Sequence, residues 1–477
     1  MDKKEPETNM TKMPSVISIN GDFNMSSTLK LADNDVMERN SRNAAFTKSD
    51  LDLYNPFEHR ETENATSTQG ALTHLLKSSL GSGILAMPHA FLHGGLIFGA
   101  IGTVIVGFIC THCVKLLVKC SQKLSARVKR PTLGFEDTAE TAFQTGPEQF
   151  RGLAQFARTF VQMALFATYY FGNTVYVVFI ATSFKQVLEM QTGFRMDIRL
   201  YILAVTVPLM PLGIIRTMKA LVPLSVTALI FIIFGLLITM YETLKDLPPF
   251  SERLYITPPA QWPIFFATVL FAMEGIGTVL PIENSMSNPK RFLGCPGVLN
   301  TAMTVVVALY GFVGFFGYLS FGEKTQASIT LNLGSTWLAE TVKVLVALSI
   351  LFTYGLQFTV PTEIVWKKIS PMVSESKQEA GYYILRAAMI FGTIIIGVIV
   401  PDLGPFISLV GAVFFSILGL FCPAIIELMT YYDEGYGPMK WMLIKDTIII
   451  LLAAAALISG SYSSFMEIVA FYQGSST

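Results

Sequence analysis

The amino-acid sequence predicts an all-α protein that crosses a lipid bilayer many times. Only 14% of its 477 residues are charged, whereas about 25% is usual for soluble proteins. Hydrophobic residues make up 52% of the chain, and they gather in successive stretches of about twenty, each long enough to cross the bilayer as a helix. The 34 basic and 34 acidic residues cancel, so no basic face for nucleic acid is expected.

The distribution of polar and apolar residues along the chain predicts three regions. Residues 1–69 are polar and rich in Asn, Ser, Thr and charge, which predicts a disordered N-terminal tail that cannot bury a core. Residues 70–470 carry the apolar stretches and form the predicted transmembrane domain. Residues 471–477 are a short polar end.

Eleven apolar stretches are predicted to span the membrane. The division between the fourth and fifth depends on the short polar segment 216–219, and the ninth and tenth are separated only by residues 401–404. The predicted spans are residues 70–92, 95–117, 154–183, 199–215, 220–241, 262–283, 296–320, 336–362, 383–400, 405–429 and 444–468.

Loop charges predict the orientation of these spans. If the N-terminal tail is cytoplasmic, the inner loops hold more than twice as many Lys and Arg residues as the outer loops. Positive residues favour the cytoplasmic side. We therefore expect a cytoplasmic N-terminus and, since the number of spans is odd, an outer or luminal C-terminus.

Two spans carry matching interruptions. Span 1 reads THLLKSSLGSGILAMP over residues 73–88, and span 6 reads FAMEGIGTVLPIENSM over residues 271–286. Each has glycines at mid-span and a proline four or five residues beyond them. Paired breaks five spans apart are typical of transporters built from an inverted repeat. The alternative is that these glycines and prolines are packing notches, which are common in membrane helices.

A broken helix offers backbone groups that an amino acid can use. The N-terminus of a half-helix carries partial positive charge and suits a carboxylate, whereas free carbonyl groups suit an ammonium. We expect the substrate carboxylate near Ser82–Gly83 and the ammonium near Phe271–Glu274, with Gly83→Val abolishing binding but not folding. The predicted binding residues in the two breaks are Gly81, Ser82, Gly83, Phe271, Met273, Glu274, Gly275 and Gly277.

Two titratable residues are candidates for coupling transport to protons. Glu274 lies within the second break, where a carboxylate is costly and is a functional candidate by default. A neutral acid bonded to freed backbone is the alternative. His74 precedes the first break by about two turns, and histidine titrates near physiological pH. A packing role is the alternative for His74.

Polar residues in two further spans are predicted to line the same cavity. They are Asn173 in span 3 and Thr353 and Gln357 in span 8, and hydrogen bonds between helices are the alternative. His89 and His93 are spaced like metal ligands but lack a third ligand, so no metal or other cofactor is expected. No nucleophile or phosphate-binding motif occurs, and an enzyme is not predicted.

The quoted strings resemble the proton-coupled amino acid transporters, a branch of the amino acid/auxin permease superfamily. The resemblance covers residues 70–470 and includes HCVKLLVKC (112–120), FTYGLQF (352–358) and ISLVGAV (407–413). It implies eleven helices in a LeuT-like five-plus-five inverted repeat with helices 1 and 6 broken. It also implies proton-coupled transport of small neutral amino acids at the plasma or lysosomal membrane. His74 and His112 match two histidines of the family.

The chain departs from the family at one position beside the predicted cavity. Met273 stands where the family usually has phenylalanine, which bears on the size of the substrate. Two other functions stay open. One is a sodium-coupled amino acid transporter of the same fold, and the other is a membrane amino acid sensor with little transport.

Overall fold

The computed structural model describes residues 54–60, 65–215, 218–273 and 275–474. In these ranges the regular structure is helical apart from one isolated β-bridge, which confirms the predicted all-α class. Glu274, Arg216 and Ser476 lie outside the described residues.

The first half of the domain consists mainly of apolar helices, with one short polar helix between the third and fifth. Its helices are α1 (Thr68–Ser79), α2 (Gly83–Gly94), α3 (Leu96–Arg127), α4 (Phe135–Gln144), α5 (Ala154–Thr192), α6 (Ile198–Ile214) and α7 (Met218–Leu244).

The second half repeats the pattern of a broken helix followed by continuous ones. Its helices are α8 (Trp262–Ala272), α9 (Ile276–Asn284), α10 (Val298–Phe321), α11 (Trp337–Gln357), α12 (Thr359–Ile369), α13 (Gln378–Ile399), α14 (Leu403–Val410), α15 (Cys422–Thr430), α16 (Trp441–Ala455) and α17 (Ser461–Tyr472). A π-helical segment, Gly411–Phe421, joins α14 to α15 without a loop, and Ala456–Gly460 joins α16 to α17 in the same way.

Nine helical stretches in the described ranges are long and apolar enough to cross a membrane. The two other predicted spans correspond to shorter helices: α6 has 17 residues, and span 1 is divided between α1 and α2. The multi-span architecture is therefore confirmed, while the number eleven stays a prediction. The boundary predicted between spans 9 and 10 agrees with the end of α13 at Ile399 and the start of α14 at Leu403.

Helices α2 and α8 lie at the centre of the bundle. Helix α2 packs against α8 and α10, while α7 packs against α11 and α13 against α6. Small residues allow this close approach, because a Cβ on Gly102 of α3 would lie 2.6 Å from Cε1 of Phe265. Phe265 has no exposed surface, so this part of α8 is core rather than lipid-facing.

The last part of the predicted tail is folded against the domain. Ser67 caps α1 by accepting a hydrogen bond from the Gly70 N–H at 3.1 Å. The Thr66 N–H donates to the Ser285 carbonyl at 2.7 Å, and the Thr66 carbonyl accepts from Ser287 at 3.0 Å. These bonds join the start of α1 to the end of α9. Of the tail predicted over residues 1–69, residues 1–53 and 61–64 lie outside the described ranges.

Candidate functional site

The two predicted breaks occur where the sequence places them and lie against each other. Helix α1 ends at Ser79 and α2 begins at Gly83, while α8 ends at Ala272 and α9 begins at Ile276. A Cβ built on Gly83 would lie 2.6 Å from Ala272 Cα. The broken helices therefore meet backbone to backbone, and Gly83 serves this contact.

The first break exposes the N-terminus of α2 to the interior of the protein. Ser82 precedes α2 in a helical conformation, and its side chain makes no cap hydrogen bond. The residue is only 7% exposed, and its buried hydroxyl has no hydrogen-bond partner in the described part of the chain. The first N–H groups of a helix also lack helical acceptors. A buried, positively polarised set of donors is thus present.

The carbonyl end of α1 is already occupied. The Tyr310 hydroxyl donates to the Ser79 carbonyl, and the Gly81 N–H donates to the same oxygen at 3.0 Å. Tyr310 is fully buried. The Ser79 carbonyl is therefore already used, whereas the donors at the start of α2 are free to bind a ligand.

The second break depends on a glycine. Gly275 has φ = 144° and ψ = −13°, a left-handed region that residues with a Cβ rarely adopt. Its carbonyl accepts hydrogen bonds from the Thr278 hydroxyl at 2.8 Å and from the Thr278 N–H at 3.0 Å. A Cβ on Gly275 would lie 3.3 Å from Ser79 Oγ. The second break therefore faces the first.

Helix α5 lines the other side of the breaks. A Cβ on Gly277 would lie 2.6 Å from the Tyr169 hydroxyl, and one on Gly81 would lie 3.9 Å from the Tyr176 hydroxyl. Asn173 lies between these two tyrosines on the same helical face. It is fully buried, its Nδ2 donates to the Tyr169 carbonyl at 2.7 Å, and its Oδ1 has no donor among the described residues.

Tyr176 was not among the residues selected from the sequence. The spacing of Tyr169, Asn173 and Tyr176 by four and then three residues was the available signal, since it places them on one face of a helix.

The two polar residues predicted on α11 differ in what they can offer. The Thr353 hydroxyl donates to the Ser349 carbonyl of its own helix at 2.9 Å. The Gln357 side-chain oxygen is buried without a hydrogen-bond donor in the described ranges. Gln357 can therefore accept a hydrogen bond from a ligand, whereas the Thr353 proton is already used.

A mostly apolar cavity adjoins the breaks on the side of α3 and α10. The cavity is small, with a volume of about 30 Å³ open to the centre of a water molecule, and Ser79, Met273, Gly275, Met303 and Phe415 contribute to its lining. Met273 thus borders this cavity, while its part in substrate binding stays a prediction. Phe271 does not contribute to the lining: it has no exposed surface, and its ring packs edge-on against Phe415 at 5.8 Å between centroids.

The two histidines matched to the family lie on different helices. His74 is half-buried on α1, one residue before Leu75, which lines the cavity. His112 lies on α3, where its ring stacks against Phe108 at 6.4 Å and its Nε2 is buried without a partner in the described chain.

A buried ion pair closes the end of the bundle where α1 begins. Arg60 donates from Nη1 and Nη2 to the two carboxylate oxygens of Glu283 at 3.2 and 3.3 Å. Gln122 Nε2 donates to Glu283 Oε1 at 2.7 Å. Glu283 has no exposed surface, although it lies near the end of its span, and its charge is paired by Arg60 of the predicted tail.

Two discontinuous helices that touch at their breaks, within a bundle of apolar helices, define a secondary transporter of the LeuT-like fold class. The broken first and sixth helices of the inverted repeat are the features of that class. The chain belongs to the family of transmembrane amino acid transporter proteins, whose model matches residues 64–466.

The relatives include transporters from an animal and a plant. The chain is 42% identical over 423 residues to the proton-coupled amino acid transporter-like protein pathetic of Drosophila melanogaster, covering 88% of this chain and 89% of that one. It is 25% identical over 422 residues to amino acid transporter ANT1 of Arabidopsis thaliana, covering 84% and 93% of the two chains. Both relatives are transporters rather than enzymes.

A solved structure supports the fold. The substrate-bound, outward-open structure of a Na⁺-coupled sialic acid symporter superposes with a TM-score of 0.50 at 10% identity, covering 83% of this chain and 89% of that one. At this identity the likeness concerns the fold alone.

Proposed function

We propose that this amino acid transporter moves small neutral amino acids together with protons by alternating access. The observation that carries the proposal is the pair of touching breaks, with a buried donor at Ser82 and a buried acceptor at Asn173. A zwitterion supplies the missing partner of each, since its carboxylate accepts hydrogen bonds and its ammonium donates them.

The substrate carboxylate binds at the Ser82 hydroxyl and the first N–H groups of α2, where the helix dipole favours negative charge. The ammonium binds at Asn173 Oδ1 and at backbone carbonyls of the second break. The Gln357 side-chain oxygen is the acceptor proposed on α11. Because Gly83 is in contact with Ala272, the substrate occupies the side of the breaks that faces Gly81, Gly277 and α5.

Protons are proposed as the coupling ion because the Drosophila relative is named as proton-coupled and Glu274 lies between the half-helices of span 6. Glu274 is the proposed carrier, with His74 setting the pH response from α1. Cotransport of one proton with a zwitterion moves one positive charge, worth about 2.3 kcal/mol per 100 mV of membrane potential.

Purified protein in liposomes tests the proposal directly. A labelled small neutral amino acid should accumulate inside when the outside is made acidic, without Na⁺, and a protonophore should abolish the accumulation. Flux that requires Na⁺ and ignores pH would replace the proposal with the sodium-coupled alternative. Saturable binding without flux would replace it with the sensor.

The proposed orientation places the N-terminus in the cytoplasm and the C-terminus outside or in the lumen, in a plasma or lysosomal membrane. Epitope tags at both ends, probed in intact and in permeabilised cells, test it. Tags that report the same side would contradict a chain of eleven spans.

A further inference from the structure

Three charged side chains meet away from the broken helices, where α15 packs against α16. The Lys445 ammonium contacts a carboxylate oxygen of Glu427 and lies 3.1 Å from Asp446 Oδ1. Asp446 has no exposed surface and Glu427 is 4% exposed. Two carboxylates thus share one ammonium inside the transmembrane domain.

The charges of these three residues do not cancel when both acids are ionised. Glu427 and Asp446 contribute two negative charges and Lys445 one positive charge, which leaves a net charge of −1 out of contact with water. A buried uncompensated charge is costly, and a buried acid avoids the cost by binding a proton. The neutral state of the group therefore holds one proton on a carboxyl.

The hydrogen bonds available to Asp446 also require one proton on the pair of carboxyl groups. Asp446 Oδ2 has no hydrogen-bond donor among the described residues, and the nearby ammonium of Lys445 lies against Asp446 Oδ1 and Glu427. The Lys445 ammonium contacts both acids and holds the Asp446 and Glu427 carboxyl groups beside each other, where a hydrogen bond between them can form. Two carboxylates cannot form that bond, but a carboxylic acid and a carboxylate can. A single proton thus supplies both the missing donor and the missing charge.

In the part of the chain that the structure describes, the surrounding elements supply no second buried cation. From α3, the ring of His112 and the thiols of Cys113 and Cys120 face the acids. Lys119 on α3 is exposed and Lys115 half-exposed, so water screens their charges. Other titratable groups nearby are Lys123 of α3, Tyr431 after α15 and Tyr436 of the loop before α16. Helix α4, which also packs against α15, carries Asp137 and Glu140, both paired with Arg158.

Helix α3 and the π-helical segment before α15 connect this group of charges to the cavity beside the breaks. Cys110 and Val114 of α3 line that cavity, and they flank His112 and Cys113. Phe415 and Gly419 line it from the π-helical segment, which runs directly into α15 and Glu427. A change in charge at Glu427 or Asp446 therefore acts on helices that also shape the cavity.

We propose that Glu427 and Asp446 together form a proton-binding site, separate from the broken helices, that holds one exchangeable proton between two carboxyl groups. Binding converts one carboxylate to a carboxylic acid and changes the charge of the group from −1 to 0. The binding itself does not depend on the proposed function, and only its part in transport rests on it.

Infrared difference spectroscopy of the purified full-length protein during a pH titration tests the site. The carboxylic acid C=O band should lose one component as the pH rises. That component should be absent in Asp446→Asn and in Glu427→Gln, since each variant leaves one acid matched to Lys445. The titration is repeated in a Glu274→Gln background, so that a proton on Glu274 cannot be mistaken for this one.

Lys445→Gln should have the opposite effect on the carboxylic acid band, strengthening it rather than removing it. Without the ammonium the two acids repel each other, and the band should persist to a pH higher by about one unit or more. Glu434→Gln is the matched control, because Glu434 is half-exposed and pairs with Lys123 and Arg127 at the surface, and its band should match the wild type.

A carboxylic acid band that is identical in the wild type, Asp446→Asn and Glu427→Gln would overturn the proposal. Proton-driven flux in liposomes is measured on the same proteins. Absence of proton-driven flux in the wild-type protein would contradict the proposed function. A carboxylic acid band that is the same in the wild type and the two variants would contradict only this proton-binding site.

Discussion

Gly83 and Ala272 bring the two broken helices into backbone contact. A Cβ on Gly83 would lie 2.6 Å from Ala272 Cα and 3.0 Å from the Ala272 carbonyl oxygen. Because backbone atoms cannot move aside as a flexible side chain can, this contact determines how closely α2 approaches α8. It also gives Gly83 a packing contact that the sequence did not predict, while its part in substrate binding stays a prediction.

Gly83→Ala should therefore lower stability, by about 1–3 kcal/mol as for other overpacked cores, and Gly83→Val should lower it further. Thermal unfolding of the purified protein measures the effect. Gly81→Ala is the matched control, since a Cβ there meets only the Tyr176 hydroxyl at 3.9 Å. A Gly83→Val protein that unfolds at the wild-type temperature would contradict the packing role.

Ser82→Ala should weaken substrate binding while leaving stability unchanged. The hydroxyl has no partner in the described chain, so its removal breaks no protein hydrogen bond, whereas a charged ligand loses about 1.5–3 kcal/mol. The dissociation constant should rise by about tenfold or more. Ser78→Ala is the control, because the Ser78 hydroxyl donates to Leu75 in its own helix at 2.9 Å. Equal affinities for wild type and Ser82→Ala would place the carboxylate elsewhere.

Glu274→Gln should remove the response of flux to an imposed pH gradient, or abolish flux. A gradient of one pH unit is worth about 1.4 kcal/mol and drives up to about tenfold accumulation in the wild type. Glu274→Asp keeps the charge but withdraws it by one methylene group, so transport should be poor while some pH dependence stays. The exposed Glu252→Gln serves as control. Normal accumulation by Glu274→Gln would assign the proton to another group.

His74→Ala should shift or erase the activation of transport by acid without changing substrate affinity. His74 is half-buried beside the cavity-lining Leu75, so it can influence α1 without contacting the substrate. Flux and binding are measured across a pH series, with the exposed His59→Ala as control. If the His74→Ala protein is less stable but its flux has the wild-type pH profile, His74 is a packing residue and not a pH sensor.

Breaking the Arg60–Glu283 pair should be costly because both side chains are buried, at 5% and 0% exposure. Arg60→Gln or Glu283→Gln alone leaves one charge unpaired inside the protein and should cost about 3–5 kcal/mol of stability, and the double variant should cost less than the two single losses added together.

The pair of Arg127 and Glu434 provides a control for this double-mutant cycle of Arg60 and Glu283. Glu434 is half-exposed there, and surface ion pairs contribute about 0–1 kcal/mol. A coupling energy between Arg60 and Glu283 no larger than that of the surface pair would show that the N-terminal segment does not hold α9.

The sequence by itself determined the membrane class, most of the helices and both breaks. Hydropathy over about twenty residues is a local property, and so is the inability of a Gly-rich segment such as 81–83 or 275–277 to continue a helix. These signals needed no partner elsewhere in the chain, and the breaks at Ser79 and Ala272 lie where the sequence places them.

Only the tertiary structure decided which residues meet. Arg60 and Glu283 are 223 positions apart, and no local pattern distinguishes a paired carboxylate from one at the interface. The grouping of Glu427 with Asp446, and the contact of Gly83 with Ala272, have the same origin. Charge compensation and close packing depend on residues that are distant in the chain, and folding alone brings those residues together.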